Sequence, residues 1–155
     1  MDKTVSMRCF DACNYVFAFP RFFLMSPKAT LRKVFKWLFQ FDYYPENREA
    51  IELFDREFPV AIEDAEANIR ETKHLLEKRS IEYQLEYRDL DPKSFKDCPT
   101  KKKQREERAA RRLHNARLMD LLKDAKSAHE NAKRDCERLK EIYALYQEAK
   151  QNAQI

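Results

Sequence analysis

The chain has 155 residues, 37% of them charged, and a formal net charge of +4 at pH 7. It contains no glycine, although glycine usually makes up about 7% of a protein. Without glycine the chain cannot form the phosphate-binding loops of P-loop or Rossmann proteins, nor the nucleophile elbow of serine hydrolases. Its charged residues are mostly Glu, Lys and Arg, which favour helices. The composition therefore predicts an all-α fold.

The start of the chain lacks the apolar segment of a secretory signal peptide. No apolar run reaches the roughly 18 residues that span a membrane. We therefore expect a cytoplasmic protein in a reducing compartment. The cysteines are expected to be free thiols: Cys9, Cys13, Cys98 and Cys136. No four-ligand zinc set and no catalytic constellation can be assembled, so neither a metal, a cofactor nor an enzymatic activity is expected.

Residues 1–44 are rich in aromatic side chains and are expected to form a small helical N-terminal unit. Ser26 and Pro27 are typical of a helix start, with Ser26 as the N-cap and Pro27 as the first helical residue. The helix that follows is expected to run from Lys28 to about Phe41. Its apolar positions are Leu31, Val34, Phe35, Leu38, Phe39 and Phe41.

This helix of residues 28–41 has two interpretations. Its basic side and its apolar stripe fit a cationic amphipathic helix that lies on a membrane surface or in a partner's groove. They also fit an ordinary core-facing helix with a solvated basic face, which we favour because the aromatic segment before it offers a partner. The candidate protein-interaction residues are Arg32, Lys33, Lys36 and Trp37.

The rest of the chain, residues 45–155, predicts a long antiparallel helical hairpin. Its arms are expected at about 46–90 and 101–153, joined by a tip at 91–100. Pro92 and Pro99 break the helical pattern, and Asp91 and Thr100 are suited to turns and N-caps. Pro59 predicts a kink or a one-turn interruption in the first arm. We expect residues 1–44 and the hairpin to form one cooperative domain.

Both arms repeat apolar residues every seven positions, which is typical of a coiled-coil-like seam. In the first arm the repeat is Ile62, Ile69, Leu76, Tyr83 and Leu90, with Ala65 and Thr72 between them. In the second arm it is Leu118, Ala125, Ala132, Leu139, Tyr146 and Ala153. Its intermediate d-type positions are Leu121, Ala128, Ile142 and Ala149, with Asp135 as an exception.

Counting from the tip gives an approximate pairing of the arms. It places Leu90 near Lys101, Ile62 near His129 and Glu46 near Leu145. The aromatic N-terminal unit is then expected at the open end of the hairpin. There it would pack against Ile142, Tyr143, Leu145 and Tyr146. The seam could instead pair between two copies of the chain, so a homodimer stays an alternative.

Charge is unevenly distributed between the arms. Residues 43–92 contain 14 acidic and 7 basic residues, whereas residues 93–117 contain 10 basic and 3 acidic residues. One interpretation is that the two arms neutralise each other. The other is that the basic run tracks the phosphates of a nucleic acid. The candidate contacts are Lys101, Lys102, Lys103, Arg105, Arg108, Arg111 and Arg112.

The lack of catalytic motifs and the long charged faces favour a non-enzymatic interaction protein. It would act as an adaptor or inhibitor of a larger protein or nucleoprotein assembly, in the manner of small helical proteins encoded by phages and mobile elements. The first alternative is a nucleic-acid-binding protein that uses residues 101–117. The second is a peripheral membrane protein that binds through residues 28–41.

Overall fold

A computed structural model of the protein describes Leu24 and residues 27–153. These residues form helices and no strand, and the two longest helices pack against each other. The all-α prediction and the predicted antiparallel hairpin are therefore confirmed. The elements, in chain order, are α1 (Lys28–Gln40), α2 (Pro45–Glu86), a 3₁₀ helix (Pro92–Phe95) and α3 (Lys101–Ala153).

The helix ends follow local rules with two corrections. Pro27 has extended backbone and lies just before α1, so Lys28 rather than Pro27 is the first helical residue; Ser26 lies outside the described residues. Thr100 caps α3 by accepting a hydrogen bond from the Lys103 N–H at 3.2 Å, and Asp91 caps the 3₁₀ helix in the same way. Both predicted caps are confirmed.

The second correction concerns α2. It ends at Glu86 rather than near Leu90, and its helical assignment runs without interruption through Pro59. The interruption that Pro59 predicted is therefore absent. The four residues lost from the end of α2 belong to a longer, folded connection that reaches Thr100.

The chain divides into two compact units. The first comprises the described residues up to Ala67 and those from Lys133 onward; the second comprises Asn68–Ala132. The core of the first unit joins α1 to parts of α2 and α3. Its buried side chains are Leu31, Phe35, Leu38, Phe39, Ala50, Phe54, Phe58, Leu139, Ile142, Leu145 and Tyr146.

Tyr146 lies at the centre of this first core and is fully buried. Its ring packs against Phe39 at 5.2 Å, Phe58 at 5.3 Å and Phe35 at 5.5 Å between centroids. Its hydroxyl donates a hydrogen bond to Asp55 Oδ1 at 2.9 Å. The predicted packing of the aromatic helix against residues 142–146 is confirmed. Residues 1–23, with their aromatic side chains and two cysteines, lie outside the described part of the chain.

In the second unit, α3 buries one face and α2 covers it with half-buried side chains. The buried residues of α3 in this unit are Asn115, Leu118, Ala125, His129 and Ala132. The half-buried seam of α2 includes Ile69, Thr72, Leu76 and Tyr83. The seven-residue repeat of both arms is therefore present in the packing.

Of the predicted intermediate positions of the α3 seam, Ile142 is buried and Leu121 and Ala149 are half-buried, but Ala128 does not fit the prediction. Ala128 and Asp135, three residues after Ala125 and Ala132, are exposed. His129 and Cys136, four residues after them, are buried instead. A helix places positions three and four residues apart on nearly the same face, so the repeat alone could not choose between them.

The predicted pairing of the arms is also wrong. His129 Nδ1 lies 3.2 Å from the hydroxyl of Thr72, ten positions further along α2 than the predicted partner, Ile62. Near the connection, His114 Nε2 lies 3.1 Å from the carbonyl oxygen of Glu86. The shift arises because the residues after Glu86 fold back along the first turns of α3.

Candidate functional site

The connection, residues 87–100, is a packed element rather than an open loop. Phe95 is its anchor, with only 1% of its surface exposed. The guanidinium carbons of Arg108 and Arg111 lie 4.9 and 4.4 Å from the centroid of the Phe95 ring. Both distances are within the range of a cation–π contact. The two arginines thus hold the connection against α3.

Hydrogen bonds complete this arrangement. Arg111 donates from Nη1 to Ser94 Oγ at 3.1 Å and to the Asp89 carbonyl oxygen at 3.2 Å. Its Nε donates to Glu107 Oε1 at 2.9 Å. Asn115 binds both backbone groups of Arg88. These hydrogen bonds therefore hold the connection against the first turns of α3.

The other five predicted contacts have a different environment. We call them the basic segment: Lys101, Lys102, Lys103, Arg105 and Arg112. All five are exposed. Within the described part of the chain, none of them forms an ion pair. Of the seven predicted residues, Arg108 and Arg111 therefore hold the connection against α3, and the other five face solvent.

The acidic arm does not neutralise the basic segment. Its carboxylates pair with cations much further along α3: Glu66 with Lys140 at 2.6 Å, and Asp55 Oδ1 with Lys150 at 2.7 Å. Ion pairs between the two arms are therefore present, but within the described residues none of them joins the acidic arm to the basic segment. The shifted pairing is the physical reason, because it places the connection beside the first turns of α3.

The predicted protein-interaction residues of α1 are also accessible. Arg32, Lys33 and Lys36 are exposed, and Trp37 is half-buried beside the first core. Arg32 Nη2 lies 3.9 Å from Glu148 Oε2. A groove of about 770 Å³ next to them has walls of both charge signs. It is lined by Arg32, Lys36, Asp42 and Glu148, among others. No single charge dominates there, unlike at the basic segment.

The apolar side of α1 packs against α2 and α3 in the first core. Leu31, Phe35, Leu38 and Phe39 are all buried in the first core, which is the core-facing interpretation of this helix. Val34 is an exception, with 37% of its surface exposed. Within Leu24 and residues 27–153, no helix is both long and apolar enough to cross a membrane.

The histidines and cysteines of the described residues serve structure or lie apart. His129 is hydrogen-bonded to Thr72, His114 lies near the side chain of Glu86, and His74 is exposed. Cys98 and Cys136 are free thiols, as predicted. In this part of the chain, no group of three or more His, Cys, Asp or Glu residues is arranged to hold a metal ion.

The buried Asn115 was not among the predicted site residues, although its hydrogen bonds to Arg88 hold the connection against α3. An Asn on the apolar face of a predicted helix is a signal, because buried amides need hydrogen-bond partners. The sequence does not reveal which backbone groups Asn115 binds.

Comparison with known proteins finds no matching family model, no similar curated protein and no similar solved structure.

Proposed function

We propose that this protein is a non-enzymatic helical interaction protein that binds nucleic acid, alone or within a nucleoprotein assembly, through the basic segment. The observation that carries the proposal is the set of five exposed cations on the first turns of α3 that form no ion pair with any residue the structure describes. Such cations bind phosphates by releasing the counterions that surround a nucleic acid.

The scaffold behind these cations supports the proposal. Five like charges within twelve residues repel one another, so an isolated helix would be weakened by them. Here the same turns are fastened to the connection by Arg108 and Arg111 over Phe95. The neighbouring Arg112 and Arg105 can therefore stay free for a partner without the helix depending on them.

The direct test compares two variants with the same change in charge. The basic-segment variant replaces its five residues with Gln: Lys101, Lys102, Lys103, Arg105 and Arg112. The matched control replaces five other exposed cations without an ion pair in the described residues: Arg48, Arg70, Lys78, Arg117 and Arg138. Binding to labelled nucleic acid is measured by fluorescence anisotropy, and helicity by circular dichroism.

We expect the basic-segment variant to lose about tenfold or more in affinity at low salt, because each lost phosphate contact removes counterion release. The control should bind nearly as the wild type does. Both variants should keep their helicity. Equal losses in the two variants would show that only net charge matters and would contradict the proposal.

A second candidate function is suggested by exposed apolar side chains in the second unit. Leu85 is 80% exposed, Leu113 75%, Met119 57% and Ile81 56%. Ile81 and Leu85, four residues apart on α2, share a face of that helix, and clustered apolar side chains on a surface are typical of protein contacts. They support an adaptor or inhibitor that also contacts a protein, or a second copy of the chain. Light scattering of the wild type and of Leu85→Gln with Leu113→Gln tests the second copy.

A further inference from the structure

The basic surface of α3 extends beyond the predicted run. Starting at Lys101, cations recur at three- or four-residue steps that keep them on one side of a helix. We call this row the basic stripe. It consists of Lys101, Arg105, Arg108, Arg112, Lys123 and Lys126, with Ala116 and Met119 between its two groups.

The stripe lies within one compact unit and on an uninterrupted helix. All of its residues are exposed except Arg108, which is half-buried against Phe95. Of the acidic residues of the same stretch, Glu106, Glu107 and Asp124 fall on other sides of the helix. Asp120 borders the row, four residues after Ala116 and three before Lys123. At Glu130, four residues after Lys126, an acid returns to the row and ends it.

The spacing within the stripe is specific. Lys101 and Lys126 are separated by about 38 Å along the helix axis, at about 1.5 Å per residue. Arg112 and Lys123 are about 16 Å apart on the same scale, and only small or unbranched side chains lie between them. The cations therefore form two groups, with no cation of the row between them.

This gap matches a duplex better than a single strand. The major groove of B-form DNA is about 12 Å wide and admits an α-helix, whereas the minor groove is about 6 Å wide. Cations about 16 Å apart can reach phosphates on both rims of the major groove. A single strand offers one row of phosphates and does not require two separated groups.

Other anionic partners fit the stripe less well. A membrane-surface helix needs an apolar face that enters the lipid, but the apolar face of α3 in this unit, including Leu118 and Ala125, is buried. A helical protein partner usually needs an apolar row beside the charges. Here Met119 is the only large apolar side chain in the row.

We infer that α3 lies across the major groove of a double-stranded nucleic acid. Lys101, Arg105 and Arg112 contact one phosphate backbone, and Lys123 and Lys126 contact the other. Ala116 and Met119 face the groove between them. This inference rests on the proposed function and adds the form of the nucleic acid. No side chain of the stripe other than the cations carries a hydrogen-bonding group, so the contact is expected to be largely independent of sequence.

The test uses the full chain, with a labelled duplex of about 20 base pairs, which is longer than the stripe, and a single strand of the same sequence. The variant is Lys123→Gln with Lys126→Gln. The matched control is Arg117→Gln with Arg138→Gln, which removes two exposed cations of α3 outside the stripe. Anisotropy is measured over a range of salt concentrations.

We expect the wild type to bind the duplex more tightly than the single strand. The Lys123/Lys126 variant should lose about tenfold in duplex affinity, and its salt slope should fall by about 1.8, because two phosphate contacts are lost. The variant should therefore bind the duplex and the single strand with similar affinity. The control should keep both its duplex affinity and the preference.

Two other results are distinguishable. If the Lys123/Lys126 variant binds the duplex as the wild type does, while the basic-segment variant does not bind, the inference is overturned and the proposed function stands. If the wild type binds neither form but binds polyglutamate or phosphatidylserine vesicles, both the inference and the proposed function are overturned.

Discussion

Asn115 and Arg88 are joined by two hydrogen bonds, although 27 residues separate them in the chain. The side-chain Nδ2 of Asn115 donates to the carbonyl oxygen of Arg88 at 2.8 Å, and its Oδ1 accepts from the Arg88 N–H at 3.0 Å. One buried amide thus satisfies both backbone groups of a residue just beyond the end of α2. This contact fixes where the chain leaves α2 and so determines which part of α3 meets the connection.

Replacing Asn115 with Ala should destabilise the protein by about 1–3 kcal/mol, because both backbone groups of Arg88 lose their partner. Urea unfolding measures the loss. Trypsin should also cleave the connection faster, at Arg88, Lys93 or Lys96. Asn115→Asp keeps the acceptor but places a buried carboxylate oxygen against the carbonyl oxygen of Arg88, so its loss should be at least as large. Unchanged stability and cleavage in Asn115→Ala would show that the two hydrogen bonds do not hold the connection.

Phe95 should be the most sensitive residue of the connection. Its ring is buried and in contact with two guanidinium groups, and Phe95→Ala should lower the free energy of unfolding by about 3–5 kcal/mol. The control is Leu85→Ala in the same unit, where the side chain is 80% exposed. This control should change stability by less than about 0.5 kcal/mol. Similar effects of the two substitutions, measured by thermal unfolding, would contradict the anchoring role of Phe95.

The contact between Thr72 and His129 can be tested by a double-mutant cycle. The Thr72 hydroxyl donates to the Asn68 carbonyl oxygen at 2.8 Å, so His129 Nδ1 is assigned as the donor to Thr72. Thr72→Val leaves the buried imidazole without this partner and should cost about 1–3 kcal/mol. Combining it with His129→Leu should recover part of the loss, because no buried polar group is then unsatisfied. Additive losses would contradict a direct contact.

Tyr146 should make the protein less stable at high pH. Burial, followed by its hydrogen bond to Asp55, raises the pKa of Tyr146 well above its ordinary value of 10.0. Above about pH 10 the unfolded tyrosine loses its proton while the folded one keeps it, so stability falls as pH rises. The contribution of this residue is about 1.4 kcal/mol per pH unit in that range.

The measurement is urea unfolding between about pH 8 and 11. Tyr146→Phe removes the ionisable hydroxyl, so its stability should fall less steeply with pH than that of the wild type. Below pH 10 the variant should be about 1 kcal/mol less stable, since the hydrogen bond to Asp55 is lost. Identical slopes above pH 10 would contradict the raised pKa. Tyr87→Phe, at a 46% exposed position, is a matched control.

The class of fold and much of the first core follow from the sequence. The absence of glycine and the seven-residue repeats indicate helices, and the spacing of Leu31, Phe35 and Leu38 indicates one buried face. These features depend on local periodicity. The bounds of α1 and α3 were predicted to within one residue for the same reason, since Thr100 and the prolines act locally.

The pairing of the arms could not be predicted in this way. It depends on the connection, where Phe95 and Asn115 make contacts between residues that are far apart in sequence. Counting outward from the tip assumed an extended loop, and the result was wrong by ten positions at His129. Asp135 was recognised as an exception to the apolar repeat, but the repeat did not show that its neighbour Cys136 takes the buried position.

The division of the basic run also needed the structure. Their spacing of three and four residues puts Arg105, Arg108 and Arg112 on one face of the helix. It could not show that Arg108 and Arg111 are engaged with Phe95. A variant that replaces these two arginines would therefore disturb the connection as well as any binding. The choice of residues for the binding test follows from this distinction.

The most direct test of the central claim is the salt dependence of duplex binding by the wild-type protein. Affinity is measured between about 50 and 200 mM salt, and its logarithm is plotted against the logarithm of salt concentration. The five phosphate contacts of Lys101, Arg105, Arg112, Lys123 and Lys126 should give a slope of about −4.5. The basic-segment variant keeps only the last two, so its slope should be about −1.8. No binding by the wild type, or a slope that the five substitutions leave unchanged, would contradict the claim.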